Sequence, residues 1–479
     1  MNKAYDLVII GGGAAGLVAA SFAVQLGASV ALVEKHRIGG DCTWTGCVPS
    51  KALLRVARTA HEMRTAARYG LTSVEPEVSL KSVMAHVRDV ISGVYEEESP
   101  ETLQGDGIDV FLGAAFFLDP NTIAVGDITL SARRVLIATG AHPYIPPIRG
   151  LDDVDYLTSE SLWELEEMPP RLLIVGAGPV GVEMAQAFQR LGSQVTLLAS
   201  RNRLLPRDDP EASRVLGEVF KAEGINIAYA ARAELAWQDQ AGIHVGAGGR
   251  GLVGDALLMA TGRRPNVEGM GLEEAGITFS PDGIQVDSQL RTSQRHIYAA
   301  GDATGGYQFT HYAGWQAAMA VRNALLPGTS QGVSELVPWT TFTDPEVAHV
   351  GLTEEQAREK LGIDVRTCDW PMTRVDRART DGDTAGFIKL VHRRNGTLLG
   401  ATIVASRAGE MIHEWLVVLQ QRIKIADLSN AIHVYPTYSV AGMQAASEIR
   451  INQFLNGTGG KVVRSLARLT RSETPVPVS

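Results

Sequence analysis

Two of the three cysteines in this 479-residue chain stand with four residues between them, in Gly39-Gly40-Asp41-Cys42-Thr43-Trp44-Thr45-Gly46-Cys47-Val48-Pro49-Ser50-Lys51. A close dithiol can cycle between disulfide and dithiol by thiol exchange. The apolar run Ala52, Leu53, Leu54, Val56 and Ala57 follows at once, so the spacing predicts both thiols on the first turn of a helix. The positive end of a helix favours a thiolate there. A buried structural pair, or half of a metal site, is the bland alternative. No second Cys/His cluster of ligand spacing accompanies the pair, which argues against zinc and leaves no metal ligands to name. A redox pair needs an electron source, and the elements around this one are candidates to provide it.

Leu7-Val8-Ile9-Ile10 reads as a buried parallel strand that runs straight into Gly11-Gly12-Gly13-Ala14-Ala15-Gly16. An apolar helical pattern (Leu17, Val18, Ala19, Ala20, Phe22, Ala23, Leu26) ends at Gly27, and the strand Val30-Ala31-Leu32-Val33 finishes on Glu34. This is G-x-G-x-x-G in its full context of strand, helix and acid. The glycines permit a tight turn and let a pyrophosphate approach the helix N-terminus, while Glu34 would accept from ribose hydroxyls. The unit repeats as strand Arg171 to Val175, turn Gly176-Ala177-Gly178-Pro179-Val180-Gly181, helix Val182 to Leu191 and strand Val195 to Leu198. At the acidic position of this second copy stands Ala199, with Ser200 and Arg201 after it. An acid would repel the 2′-phosphate of NADP and an arginine attracts it, so the pattern favours NADP(H) over NAD(H). An ordinary surface role for Arg201 is the alternative.

Residues 59–100 read as charged helices broken near Gly70 and Pro76, and 109–118, 122–125 and 127–130 as short antiparallel strands. Another strand, Arg134 to Ala138, ends at Thr139-Gly140, and Pro143, Pro146, Pro147 and Gly150 mark a linker. Leu257 to Ala260 with Thr261-Gly262 echoes that strand and turn, and Ile297 to Ala300 leads into Gly301-Asp302, an acid placed to hold a polyol. A small-residue helix with Ala313, Ala317, Ala318 and Ala320 follows, its N-terminus near Thr310-His311. Beyond Pro338, alternating strands (387–391, 398–404) and apolar helices (411–420, 440–449) suggest an α+β domain of structural or intersubunit role. The tail 461–471 is weakly basic and amphipathic. It reads as a solvated helix rather than a membrane-surface contact, because single basic faces are common.

At a prior of about 150 residues per domain, the length suggests three domains, give or take one. The 45% hydrophobic content suits a globular protein, and 50 glycines fit folds in which backbone must approach phosphate. A formal charge of −9 leaves no electrostatic footprint for nucleic acid. Three cysteines are too few for a secreted disulfide scaffold. With neither a signal peptide nor an apolar run of membrane-spanning length, a cytoplasmic location is expected.

Two nucleotide folds bracketing C-x4-C-x-P-S-K, with A-T-G turns at 138–140 and 260–262 and A-G-D at 300–302, resemble the flavoprotein disulfide reductase (class I pyridine nucleotide-disulfide oxidoreductase) family. Its members include dihydrolipoamide dehydrogenase, glutathione reductase and mercuric reductase. The resemblance implies an α/β protein with two Rossmann-like dinucleotide-binding domains and a C-terminal α+β dimerisation domain. The expected boundaries are 1–150 (first part of the FAD domain), 151–270 (NAD(P) domain), 271–337 (central part completing the FAD site) and 338–479 (interface domain). It further implies a homodimer, with FAD on the first fold and a nicotinamide nucleotide on the second. Carried over by position, Gly11, Gly13, Ala15, Gly16 and Glu34 would hold FAD, and Ala115, Thr139, Gly140, Gly301 and Asp302 would complete its site. The N-terminus at Thr310-His311 would support negative charge on the flavin ring. Cys47 would face the flavin and Cys42 would meet substrate. Lys51, paired with Glu183, would lie by flavin N5. Gly176, Gly178, Gly181 and Gly262 would hold the nicotinamide nucleotide, with Arg201 on its phosphate.

The departures narrow the chemistry. In most of the family the partner subunit supplies a histidine just before Pro-Thr, with a glutamate five residues on, as acid/base for the outer thiol. Here Tyr435 occupies the histidine position and Val440 the glutamate position, while His433 lies two residues upstream on what reads as a strand. Tyrosine, with an ordinary pKa near 10, is a poor proton shuttle. Asp41, where threonine is usual, is expected to raise the Cys42 pKa. Trp44 and Thr45 replace the usual Asn-Val. Mercuric reductases also lack the histidine dyad, but neither their C-terminal vicinal cysteines nor an N-terminal metal-binding module is expected here. The sequence therefore reads as a mercuric-reductase-like enzyme passing electrons from NAD(P)H through flavin and the dithiol to a thiophilic metal ion or small-molecule acceptor. The alternatives are a dihydrolipoamide dehydrogenase or other disulfide reductase with an atypical acid/base, and a slow-turnover redox sensor or binding partner.

Overall fold

The computed structural model describes residues 2–470; the stretch 471–479, where the vicinal cysteines are missing from the sequence, lies outside it. The chain divides into two compact units, Met1–Pro206 with Phe220–Val337, and Arg207–Val219 with Pro338–Ser479.

The first unit is built on a parallel sheet. Strand β1 (Asn2–Ile10) pairs in parallel with β2 (Val30–Glu34), with helix α1 (Ala14–Gln25) crossing between them. Successive β1 side chains point to opposite faces, and both faces are covered. Leu7, Ile9, Val30 and Leu32 pack against Ala19, Ala20 and Ala23 of α1 and Ala313, Ala317 and Ala320 of the Thr310–Leu325 helix. Val8, Ile10, Ala31 and Val33 pack against Phe117, Ile123 and Leu130. Such two-sided burial is why the strand reads as a continuous apolar run rather than an alternation.

The strands beyond differ from expectation. Instead of antiparallel strands throughout, β3 (Ile108–Leu112) continues the parallel sheet on the far side of β2, and only β4 (Ala115–Asp119) turns into an antiparallel meander with β5 (Thr122–Val125). The break falls at Gly113, whose φ of +151° disfavours a side chain. The expected strands at 127–130 and 134–138 are one, β6 (Ile128–Ile137). Its first half pairs with β5 and its whole length with β1, so one long strand bridges both parts of the sheet.

A second parallel sheet repeats the plan, in the order Asn226–Ala228, Gln194–Leu198, Arg171–Val175, Ala256–Met259. The Pro179–Leu191 helix follows its glycine turn, with proline in the first turn, where its missing N–H costs nothing. In the second unit a five-stranded antiparallel sheet carries Phe387–Arg393 and Leu398–Ala405 side by side, with the helices Ala408–Gln420 and Val440–Asn456. Phe387 to His392 are buried without alternation, because helices and loops cover both faces of that strand.

Candidate active site

The two cysteines do not share a helix. Cys42 lies on the short α2 (Gly40–Trp44) and Cys47 is the first residue of α3 (Cys47–Thr65). Between them the chain folds back: the N–H groups of Thr45 and Gly46 both donate to the Asp41 carbonyl, at 2.9 and 2.5 Å. A side chain on Gly46 would stand 2.8 Å from that carbonyl oxygen. This fold-back is what brings Cys42 within hydrogen-bonding reach of Cys47.

Cys47 sits where two helices begin. It opens α3, and its Sγ lies 3.3 Å from Oγ1 of Thr310, the first residue of the Thr310–Leu325 helix. Positive helix ends and a hydroxyl donor favour a thiolate. Its pKa is lowered to about 5, first by the hydrogen bond from Cys42, then by Thr310 and the Lys51 charge. Cys42 moves the opposite way, raised by giving that hydrogen bond, by burial and by the Glu98 carboxylate. The pair thus separates into a thiolate at 47 and a thiol at 42. Asp41 is not what raises Cys42, contrary to expectation, for its carboxylate is held by the Arg263 guanidinium. Arg263 also lies 3.6 Å from Asp302.

Lys51 projects from the first turns of α3, and its Nζ lies 3.0 Å from Oε2 of Glu183, on the Pro179–Leu191 helix. The Glu183 side chain is only 6% exposed against 37% for Lys51. An unpaired carboxylate so buried is costly. The half-open lysine therefore serves the glutamate as counter-ion more than the reverse.

The glycine turns are cradles that side chains would fill. A Cβ on Gly11 (φ +110°) would come within 2.2 Å of the Ala138 carbonyl oxygen, and one on Gly16 within 1.9 Å of that of Gly11. In the second fold the counterparts are 2.1 Å for Gly176 (φ +116°) and 1.8 Å for Gly181. Gly13 and Gly178 cap the two helices that follow, and Ala15 is buried in the first turn of α1. Glu34, at the end of β2, accepts from Gly12 N at 2.7 Å, so its carboxylate lies over the first turn. Gly113 N donates to the Glu34 carbonyl, which brings Ala115 to the same end of the sheet. Thr139 and Asn266 exchange hydrogen bonds at 2.8 Å, beside Gly140, around which there is open space. Gly301 N donates to the buried Gln316 side chain, and burial raises the Asp302 carboxyl to about 6. Gly262, also in open space, sits by the second turn. Arg201 is exposed just past the strand whose Leu198 carbonyl accepts from Gly176 N.

In the second unit the segment around Tyr435 is not a strand. The Tyr435 side chain is exposed, and its hydroxyl donates to Asp376 at 3.0 Å, which raises its pKa further. His433 Nε2 lies 2.8 Å from Glu414 Oε1 and its Nδ1 3.1 Å from the Ala431 carbonyl. Both ring nitrogens of His433 are thus engaged by neighbours on its own chain.

The described residues contain no group of three or more His, Cys, Asp or Glu able to hold a metal ion, and no helix long and apolar enough to cross a membrane. Residues 5–317 match the family model of the pyridine nucleotide-disulphide oxidoreductases, and residues 337–446 that family's dimerisation domain. The chain belongs to this family. It is therefore an FAD-dependent oxidoreductase that uses a pyridine nucleotide. It is 38% identical to a mercuric reductase of Bacillus cereus over 91% of this chain and 70% of the relative. It is 36% identical to a dihydrolipoyl dehydrogenase of Thermus scotoductus over 93% and 98%. A Cu(II) complex of the HOCl-induced flavoprotein disulfide reductase RclA from Escherichia coli superposes with a TM-score of 0.85, at 30% identity, over 94% of this chain and 100% of that one.

Sequence reasoning missed three neighbours of this oxidoreductase's thiols: the Thr310 contact to Cys47, the Arg263 hold on Asp41, and Glu98, which accepts from Thr43 Oγ1 at 2.7 Å. Arg263, directly after the Thr261-Gly262 turn and followed by Arg264, carried a signal, since charge placed at such a turn is near the site that the turn lines. Glu98 carried none.

Proposed function

We propose that this enzyme passes electrons from NADPH through FAD to the Cys42–Cys47 disulfide, and from the reduced pair to a thiophilic metal ion or a small electron-accepting molecule. FAD would supply hydride acceptance and two-electron transfer. Gly11, Gly13, Ala15, Gly16, Glu34, Ala115, Thr139, Gly140, Gly301 and Asp302 would hold it; Gly176, Gly178, Gly181, Gly262 and Arg201 would hold the nucleotide. The uncrowded space at Gly140 and Gly262 and the two Cβ-excluding turns fit dinucleotides. In domain terms, 1–150 and 271–337 would bind flavin, 151–270 the nucleotide, and 338–479 would form the homodimer. A cytoplasmic location suits a working dithiol.

Two electrons break the Cys42–Cys47 bond, leaving a thiolate on Cys47 and, with one proton, a thiol on Cys42. Lys51, fixed by Glu183, positions positive charge beside the inner sulfur. The observation that carries the acceptor class is that Tyr435 stands at the family's histidine position and its hydroxyl is engaged by Asp376, while the nearby His433 is engaged by Glu414 and the Ala431 carbonyl. Cleaving a disulfide substrate requires protonating a leaving thiolate, whereas binding a thiophilic metal ion releases a proton from Cys42. The mercuric reductase relatives and the copper-bound neighbour support this reading. The likeness to dihydrolipoyl dehydrogenase over nearly its whole length favours lipoamide as the second reading.

The test is an acceptor panel of Cu(II), Hg(II), a quinone and lipoamide, with wild type and Cys42→Ser. NADPH oxidation is expected with the metal ions and to vanish in the variant; wild-type turnover confined to lipoamide would overturn the proposal. A slow sensor would reduce its flavin and turn over on none. The coenzyme choice rests on Arg201. Arg201→Glu is expected to slow flavin reduction by NADPH about 10- to 100-fold, the scale of one or two charge-assisted contacts, and to leave NADH nearly unchanged. Stopped-flow reduction with each coenzyme measures this.

A further inference from the structure

From the geometry of the last helix, Thr458–Thr470, we infer that it is a docking surface for an anionic lipid bilayer. At about 100° per residue, Val462, Val463 and Leu466 fall on one side and Lys461, Arg464 and Arg468 on the other. Lys461 to Arg468 are exposed throughout, the three apolar residues at 53%, 49% and 56%. A helix of this length with Lys461 to Arg468 exposed is marginal in water, so a surface that covers Val462, Val463 and Leu466 is what would complete it. On the preceding Val440–Asn456 helix, Ile451 and Phe454 are also more than half exposed.

Charge identifies the covering surface. From Ile449 through Ser472 the sequence has Arg450, Lys461, Arg464, Arg468 and Arg471 and no acid, in a chain whose net charge is −9. Among the described residues, no carboxylate lies within ion-pair distance of Lys461, Arg464 or Arg468; Arg464 bonds only to the carbonyls of Gly460 and Leu455. An apolar stripe opposite an all-basic face, at low overall hydrophobicity, fits the boundary between headgroups and acyl chains, with anionic lipid as counter-charge. The sequence alone favoured a solvated helix because a basic face is commonplace; the exposure of Val462, Val463 and Leu466 opposite it is what changes the assignment.

Flotation of the full-length FAD-loaded protein with vesicles of phosphatidylcholine, or of equimolar phosphatidylcholine and phosphatidylglycerol, tests this. The protein is expected to float with the anionic vesicles only, and less as salt rises. Val462→Glu, and separately Lys461→Glu with Arg468→Glu, should each lower the bound fraction at least tenfold, without changing turnover or the mass in solution by light scattering. Failure to float, equal binding to both vesicle types, or conversion of a dimer to a monomer by Val462→Glu would overturn it. The last result would assign the face to a second copy of the chain.

Discussion

Replacing Cys47 by serine is expected to lower NADPH-dependent turnover by about three orders of magnitude or more, with flavin still bound. The sulfur at this position is supported from three sides. It opens α3, meets the Thr310 hydroxyl at 3.3 Å, and takes the Cys42 hydrogen bond. A serine hydroxyl fills the space but stays protonated. The same environment fixes the pH dependence. Because the folded-state pKa is lowered, to about 5, the thiolate is present above that value and is lost as pH falls through it. The long-wavelength absorbance that a thiolate gives beside an oxidised flavin should therefore persist in two-electron-reduced enzyme from neutral pH to near 5 and fade below. Loss of that absorbance already at pH 8 would contradict the assignment. Thr310→Val removes one donor and should raise the midpoint without abolishing turnover.

The second large effect separates the two nucleotide turns. Gly16→Ala and Gly181→Ala are chemically the same change, and each would drive a methyl group to within 1.9 or 1.8 Å of a backbone carbonyl oxygen. Neither carbonyl is the end of a flexible side chain, so the turn must open, at about 1–3 kcal/mol or more by analogy with overpacked cores. Gly16→Ala is expected to purify largely without flavin. Gly181→Ala is expected to keep its yellow colour and lose reduction by NADPH, while chemical reduction by dithionite still works. Flavin content per chain and stopped-flow reduction read the two out. A Gly181→Ala protein that loses FAD and keeps NADPH reduction would reverse the assignment of the folds.

What was legible in the sequence is what local sterics dictate. Gly11, Gly16, Gly176 and Gly181 are required by contacts within a few residues or with the adjoining strand, so a fixed spacing betrays them. The parallel strands announced themselves through apolar runs, since both faces are buried. Other features depend on residues far apart in the chain. Thr310 lies 263 positions from Cys47, and Arg263 lies 222 from Asp41, so no spacing rule connects them. Asp41 was expected to raise its neighbour's pKa because proximity in sequence was the only information; in the fold, Arg263 turns that carboxylate into half of an ion pair. Likewise, β3 pairs in parallel with β2, a stretch far upstream that no local pattern of β3 names. His433 and Tyr435 showed which groups were present. Only the fold showed their partners, Glu414 and Asp376.

In the proposed enzyme the dithiol draws electrons through flavin and lacks the family's usual histidine for protonating a thiol leaving group. The most direct measurement is steady-state NADPH oxidation by wild-type enzyme with Cu(II) or Hg(II) set against lipoamide, at matched concentrations and neutral pH. The metal ions are expected to support turnover requiring Cys42, and lipoamide to be turned over at least about a hundredfold more slowly, the scale of a missing general acid. Lipoamide reduced as fast as the metal ions would contradict it.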